Sequence, residues 1–183
     1  MPLTDLMDVV AVVITHEHGD HWTADQLTRI KERNPKVRFF GPTGVVAAAT
    51  DFAIEAVADG DTVNVGEFEL RFFGEKHAVI HESIPVVDNV GVLVNDTFYY
   101  GGDSYTVPGV SVPVLAAPVG APWLKIGEAM DYVMAVKPRR AFAVHEATLS
   151  QIGRKMAGER LGNVTRLGGG EWIDIETGDT VEL

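Results

Sequence analysis

The run His16-Glu17-His18-Gly19-Asp20-His21 constrains this chain more than any other stretch. It follows the apolar, β-branched segment Val9-Val10-Ala11-Val12-Val13-Ile14, which shows no alternation and reads as a strand covered on both faces. In extended backbone, residues two apart project to the same side, so His16 and His18 can both approach one cation. Gly19 permits a bend, after which Asp20 and His21 can point at a second ion beside the first. Neutral imidazole and carboxylate suit zinc, manganese or iron. The chain has no cysteine, so a thiolate-built structural zinc site is ruled out. A lone histidine here would usually be a solvated loop residue. Four candidate ligands in six residues, at the end of a strand, point instead to a metal pair. Such a pair needs further ligands from distant loops, and His77, Asp103 and His145 are placed to supply them.

The rest of the chain supports an α/β reading. Thr23-Ala24-Asp25-Gln26 fits a capping box, followed by a short helix with Leu27 and Ile30 inward that stops before Pro35. Val37 to Phe40 reads as a strand ended by Gly41-Pro42, and Thr43 can cap a small helix through Ala49. Residues 62–65 and 68–73 form strands joined at Gly66. Residues 90–94 and 97–100 form a hairpin turned at Asn95-Asp96. The last third is expected to hold a strand over 112–116, a helix with Ile126, Ala129, Met130 and Val133 on one face, and a buried strand over 141–144. A helix with Leu149, Ile152 and Met156 inward follows, and a closing strand lies near 172–175.

At 183 residues, 46% apolar and 22% charged, residues 1–183 are expected to form one globular domain. A net charge of -11 argues against a broad nucleic-acid-binding surface. The first residues lack the basic region of a secretion signal, and their apolar run is too short to cross a bilayer. A cytoplasmic location without membrane contact is expected.

Thr15-His16-Glu17-His18-Gly19-Asp20-His21 resembles the H-x-H-x-D-H signature of the metallo-β-lactamase superfamily. The resemblance implies a four-layered αββα sandwich with a dinuclear metal centre at one edge of its two sheets. Tyr99-Tyr100-Gly101-Gly102-Asp103-Ser104 is similar to the family's G-D-S/T element, whose aspartate bridges both ions. The resemblance implies that His16, His18 and one histidine of the 74–81 stretch hold the first ion. His77 is favoured because it lies nearer a strand end, with His81 as its alternative or as a substrate contact. Asp20, His21 and His145 would hold the second ion, with Asp103 shared. Family members usually carry several strands before the signature, so this chain is read as N-terminally shortened, with self-association into a homo-oligomer through the uncovered sheet region.

The implied chemistry is hydrolysis. Two divalent ions, most simply zinc, with manganese or iron as alternatives, lower the pKa of a shared water, which attacks a carbonyl carbon or phosphorus. Asp20 can orient that water or handle its proton. His81, Tyr105 and Trp123 are candidate substrate contacts, although Trp123 reads equally well as a core residue. The expected function is a metal-dependent hydrolase of a small ester, lactone, amide or phosphoester, most similar to the ascorbate-6-phosphate lactonase-like branch. The alternative is a shortened, non-enzymatic metal-binding or interaction relative that acts through self-association. A flavodiiron-type oxidoreductase would usually carry glutamate where His18 stands.

Overall fold

The computed structural model describes residues 6–176 and 178–182. Strand β1 (Ala11–Val13) enters the signature, and helix α1 (Ala24–Arg33) leaves it. Thr23 caps α1 by accepting the Gln26 N–H, and the Thr23 and Gln26 side chains also bond each other. Leu27 and Ile30 are the buried residues of α1, and Asn34 ends it. Strand β2 (Arg38–Gly41), helix α2 (Thr43–Ala48) and strand β3 (Ile54–Ala56) follow. Thr43 is the first residue of α2 rather than its cap. Pro42 holds that place without a side-chain bond, as suits a residue whose fixed φ prepares a helical turn. Strand β3, with only Ile54 half-buried and no alternation, had no legible signal.

Strands β4 (Thr62–Val65) and β5 (Phe68–Phe73) meet at Gly66, whose φ is 60°. Strands β6 (Gly91–Val94) and β7 (Phe98–Tyr100) turn at Asn95 and Asp96, both at φ 49°. These left-handed angles fit a type I′ hairpin. Strand β8 (Val114–Pro118), helix α3 (Ile126–Val136), strand β9 (Arg140–Val144), helix α4 (Gln151–Leu167) and strand β10 (Glu171–Ile173) complete the order.

Two sheets result. One is parallel, β1-β2-β3; the other runs β10-β9-β8-β7-β6-β5-β4, parallel from β10 to β7 and antiparallel from β7 to β4. Alternation along the strands builds the layers. Val12 and Phe39 pack with Leu27, Ile30 and Val45 of α1 and α2. Ala11, Val13 and Phe40, on the opposite face, pack with Leu70, Phe72 and Val92 of the large sheet. Leu93, Tyr99, Leu115 and Ala141 face Ala129 and Val133 of α3 and Leu161 and Val164 of α4. Helices, small sheet, large sheet, helices: this is the αββα sandwich.

Four expectations change. Strand β1 is half-buried along its length, and Val10 beside it is 38% exposed. An unbroken apolar run says that a strand is sticky, not that a neighbour covers it. Strand β9 is likewise mostly half-buried, with only Ala141 fully covered. In α4, Ile152 and Met156 are 74% and 56% exposed, while Ala157, Leu161 and Val164 turn inward. Small residues let that face approach closely: a Cβ on Gly162 would stand 3.1 Å from the Trp172 ring. The inward face of α3 includes Tyr132 and Val136, whereas Ile126 is exposed.

Candidate metal centre

The signature is held at its start by two strands. Ile14 donates to the Phe40 carbonyl at 2.8 Å, and the Thr15 carbonyl accepts the Val90 N–H at 2.9 Å. His16 is therefore fixed where the small sheet meets the segment leading into β6. A bond from His21 N–H to the His18 carbonyl, 3.1 Å, closes the turn. Gly19 lies outside the positive-φ set, and a Cβ there would meet nothing within 4 Å. The bend thus does not need glycine on steric grounds.

Three distant segments join this turn. His77 begins an excursion whose base is closed by His77 N–H to the Val87 carbonyl, 3.0 Å, and by the Lys76–Asp88 bridge. Asp103 follows β7, and His145 follows β9 at φ 60°. A left-handed non-glycine residue at a site costs on the order of 1–3 kcal/mol, held in place by its surroundings.

The side chains converge in three overlapping sets: His16, His18 and His77; His16, His21 and Asp103; Asp20, His21 and His145. Within each set the candidate ligand atoms lie within 4.8 Å of one another. His81 stands apart, exposed, with Nδ1 2.7 Å from the Ser83 hydroxyl. Asp20 is 63% exposed, its carboxylate 3.6 Å from His145 Nε2. Tyr105 and Trp123 line a cleft of about 630 Å³ together with Lys76, Val79 and Lys125. Trp123 is also buried, and its indole N–H donates to Asp103 Oδ2 at 2.8 Å.

Second contacts orient the imidazoles. His77 Nδ1 lies 2.5 Å from the Ala78 carbonyl and His145 Nδ1 2.6 Å from the Gly120 carbonyl. A carbonyl only accepts, so each Nδ1 carries a proton and each Nε2 is turned toward the cluster. His16 Nδ1 meets the Thr15 hydroxyl at 3.0 Å. Among the described residues, His16 Nε2, His77 Nε2 and Asp103 Oδ1 are buried without a hydrogen-bond partner. Native interiors rarely leave such atoms unmet, and inward-facing imidazole nitrogens with a carboxylate oxygen are a donor set that fits divalent cations.

Charge is coupled across the cluster. Burial lowers the His16 pKa to about 3, so its ring is neutral and able to donate to a metal. Burial alone would raise Asp103, but its contacts with His145, His21 and His77 outweigh it and hold the carboxyl well below the ordinary range. The reciprocal contact with Asp103 raises His145 to about 9.

Sequence reasoning missed Thr15 and Asn89. Asn89 is fully buried, accepts the Asp103 N–H at 3.0 Å and donates to the Gly101 carbonyl at 2.9 Å. Gly102, at φ 64°, has no room for a Cβ against Asn89 Oδ1 and Thr15. The glycine pair is thus explained by close packing on these two polar residues. An Asn after Val-Val-Asp carries no pattern that would have singled it out.

A family profile described as beta-lactamase superfamily domain matches residues 4–145. The chain belongs to that superfamily. Protein Rv0786c of Mycobacterium tuberculosis is 38% identical to this superfamily member over 160 residues, 85% of this chain and 75% of that protein. Igni18, a metallo hydrolase of Ignicoccus hospitalis, superposes with a TM-score of 0.70 at 17% identity, over 94% of this chain and 78% of its own. CmlA, a diiron beta-hydroxylase of Streptomyces venezuelae, superposes with a TM-score of 0.69 at 15% identity, over 90% of this chain and 43% of its own. At those identities the two structures establish the shared fold. Among the described residues, no helix is long and apolar enough to cross a membrane.

Proposed function

We propose that this beta-lactamase superfamily member is a metal-dependent hydrolase that holds two divalent ions, zinc by preference, and acts on a small ester, lactone, amide or phosphoester. The single observation that carries the reading is the convergence of His16, His18, His77, Asp20, His21, His145 and Asp103, with inward ring nitrogens left unpartnered. His16, His18 and His77 would hold one ion, Asp20, His21 and His145 the other, and Asp103 both. The ions supply Lewis acidity and lower the pKa of water toward neutrality.

The chain's own groups do the rest. The carbonyls of Ala78 and Gly120 keep His77 and His145 in the tautomer that presents Nε2. Asp20, on the solvent side of the cluster, is the group placed to orient the attacking water and take its proton. Tyr105 and Trp123 form the apolar wall of the adjoining cleft, with Lys76 and Lys125 at its rim. His81, exposed on the loop after His77, is available to a substrate from outside. Substrates of this size enter clefts that are mostly apolar with a few polar anchors.

Metal analysis combined with turnover of a generic lactone and a generic phosphodiester tests the reading. Wild-type protein is expected to retain close to two equivalents of zinc after dialysis and to hydrolyse at least one substrate. His16→Ala is expected to lose both the metal and the turnover. Wild-type protein that folds but retains no metal would sink the proposal. Self-association belongs to the same reading and is supported by Met7 and Val10, which are exposed beside β1, a strand that pairs with β2 alone among the described residues. Sedimentation at micromolar concentrations should then show a species larger than one chain.

A further inference from the structure

Trp123 is placed unusually for a cleft-lining aromatic. It lies in the turn after β8, closed by the Leu124 N–H to the Ala121 carbonyl at 3.1 Å. Its ring packs edge-on against His77, with centroids 5.9 Å apart, and against Tyr105, 5.1 Å apart. One part of the ring lines the cleft, while Nε1 points inward to Asp103 Oδ2 at 2.8 Å. The same turn provides the Gly120 carbonyl that orients His145.

An indole N–H can only donate, and a buried carboxylate is its strongest acceptor. The bond distinguishes the two oxygens of Asp103. Oδ2 receives the indole proton, whereas Oδ1, among the described residues, faces only the candidate ligand His21, whose Nε2 lies 3.3 Å away. From the other side, Asn89 holds the Asp103 backbone. Backbone and carboxylate are therefore fixed by different elements. The Nε2 atoms of His21, His77 and His145 also lie 3.3, 3.5 and 3.2 Å from the carboxylate, but these are candidate metal ligands, whereas the Trp123 indole is a donor to it that is not.

We infer that Trp123 is a positioning residue for the metal centre: its indole N–H fixes the orientation of the Asp103 carboxylate, while its ring forms the wall of the neighbouring cleft. This rests on the reading of Asp103 as a metal ligand. A phenyl ring at this position would fill most of the space but remove the indole donor, leaving the carboxylate held only by the candidate ligands themselves. Partners that orient a ligand from outside typically contribute 10–100-fold to metal affinity. Because one side chain touches both cleft and carboxylate, a molecule pressing on the ring also acts on the centre.

The test compares wild type with Trp123→Phe. Zinc affinity is measured by competition with a chromogenic chelator, and site geometry by the visible absorption of the cobalt-loaded protein. The variant is expected to bind zinc roughly 10–100-fold more weakly and to show displaced cobalt bands, with a metal-free melting temperature close to that of wild type. Equal affinity and unchanged bands would overturn the inference. So would a variant that melts earlier but whose folded fraction binds metal normally, since that is a packing role.

A second measurement leaves Trp123 itself unaltered. The chain has three tryptophans, so three indole N–H signals are expected in a nitrogen–proton correlation spectrum. Signals missing from Trp22→Phe and Trp172→Phe spectra identify that of Trp123 by elimination. It should move on zinc addition, while that of Trp172, bonded to Asp174, stays in place. A Trp123 signal that ignores bound zinc would refute the inference while leaving the metal centre standing. Wild-type protein that binds no zinc would remove the metal centre itself, and the inference with it.

Discussion

Asn89 shows how much of this site depends on a residue that binds nothing. Its amide satisfies the Gly101 carbonyl and the Asp103 N–H at zero exposure, so its loss strands both groups away from water. Each buried unmet backbone group costs about 1–3 kcal/mol. Asn89→Ala is expected to lower unfolding stability by about 2–6 kcal/mol, read from urea melts of the metal-free protein. His16, His77 and His145 follow the same logic from the other direction. Their Nδ1 atoms are met by Thr15, Ala78 and Gly120, and what remains unmet faces the other ligands. The histidines were legible because their spacing in sequence is the pattern the chemistry needs. Thr15 and Asn89 were not, because their packing on Gly102, far from either along the chain, leaves no mark on local composition.

Between elements, the tie at Asp88 joins three pieces that the sequence keeps apart. Its carboxylate pairs with Lys76 at 2.6 Å and accepts the Gly44 N–H of α2 at 3.0 Å. Lys76 is the main cause, and Gly44 a lesser one, of a folded-state pKa below the ordinary carboxylate value. A depressed carboxylate stabilises above its unfolded pKa, about 4, and loses that contribution as pH falls through the lowered folded value. Asp88→Asn is therefore expected to lower the urea midpoint at pH 7, and the gap from wild type should narrow as pH falls below the unfolded value and close below the lowered folded value. A gap that stayed constant across this range would show that the carboxylate charge plays no part. Helix α4 carries the converse lesson. Its large apolar residues Ile152 and Met156 are exposed, and the helix turns inward a face that mixes Leu161 and Val164 with the small Ala157 and Gly162, the last against Trp172. Periodicity finds a helix; steric fit between partners chooses its face.

For the molecule as a whole, four loops from two sheets meet at one place, and a ligand that binds only their folded arrangement must stabilise all of it. At a free zinc concentration one hundred times the dissociation constant, that linkage amounts to about 2.7 kcal/mol. For a chain of this length it corresponds to a rise in melting temperature of roughly 5–10 °C. Removal of metal by a chelator should reverse the rise, and fresh zinc should restore it. A melting temperature indifferent to both would mean that the cluster does not hold its ion in the folded state.

The sequence by itself determined the superfamily, the layered α/β class and six of the seven converging side chains, because strand-end ligands and hairpin turns are written in short, local patterns. Only the tertiary structure decided that His77 rather than His81 joins His16 and His18, that Trp123 turns its N–H to Asp103, and which faces of β1, β9 and α4 are covered. Those outcomes depend on what a side chain meets after the chain has closed on itself. Distance in space, unlike spacing along a strand, is a property of the whole fold.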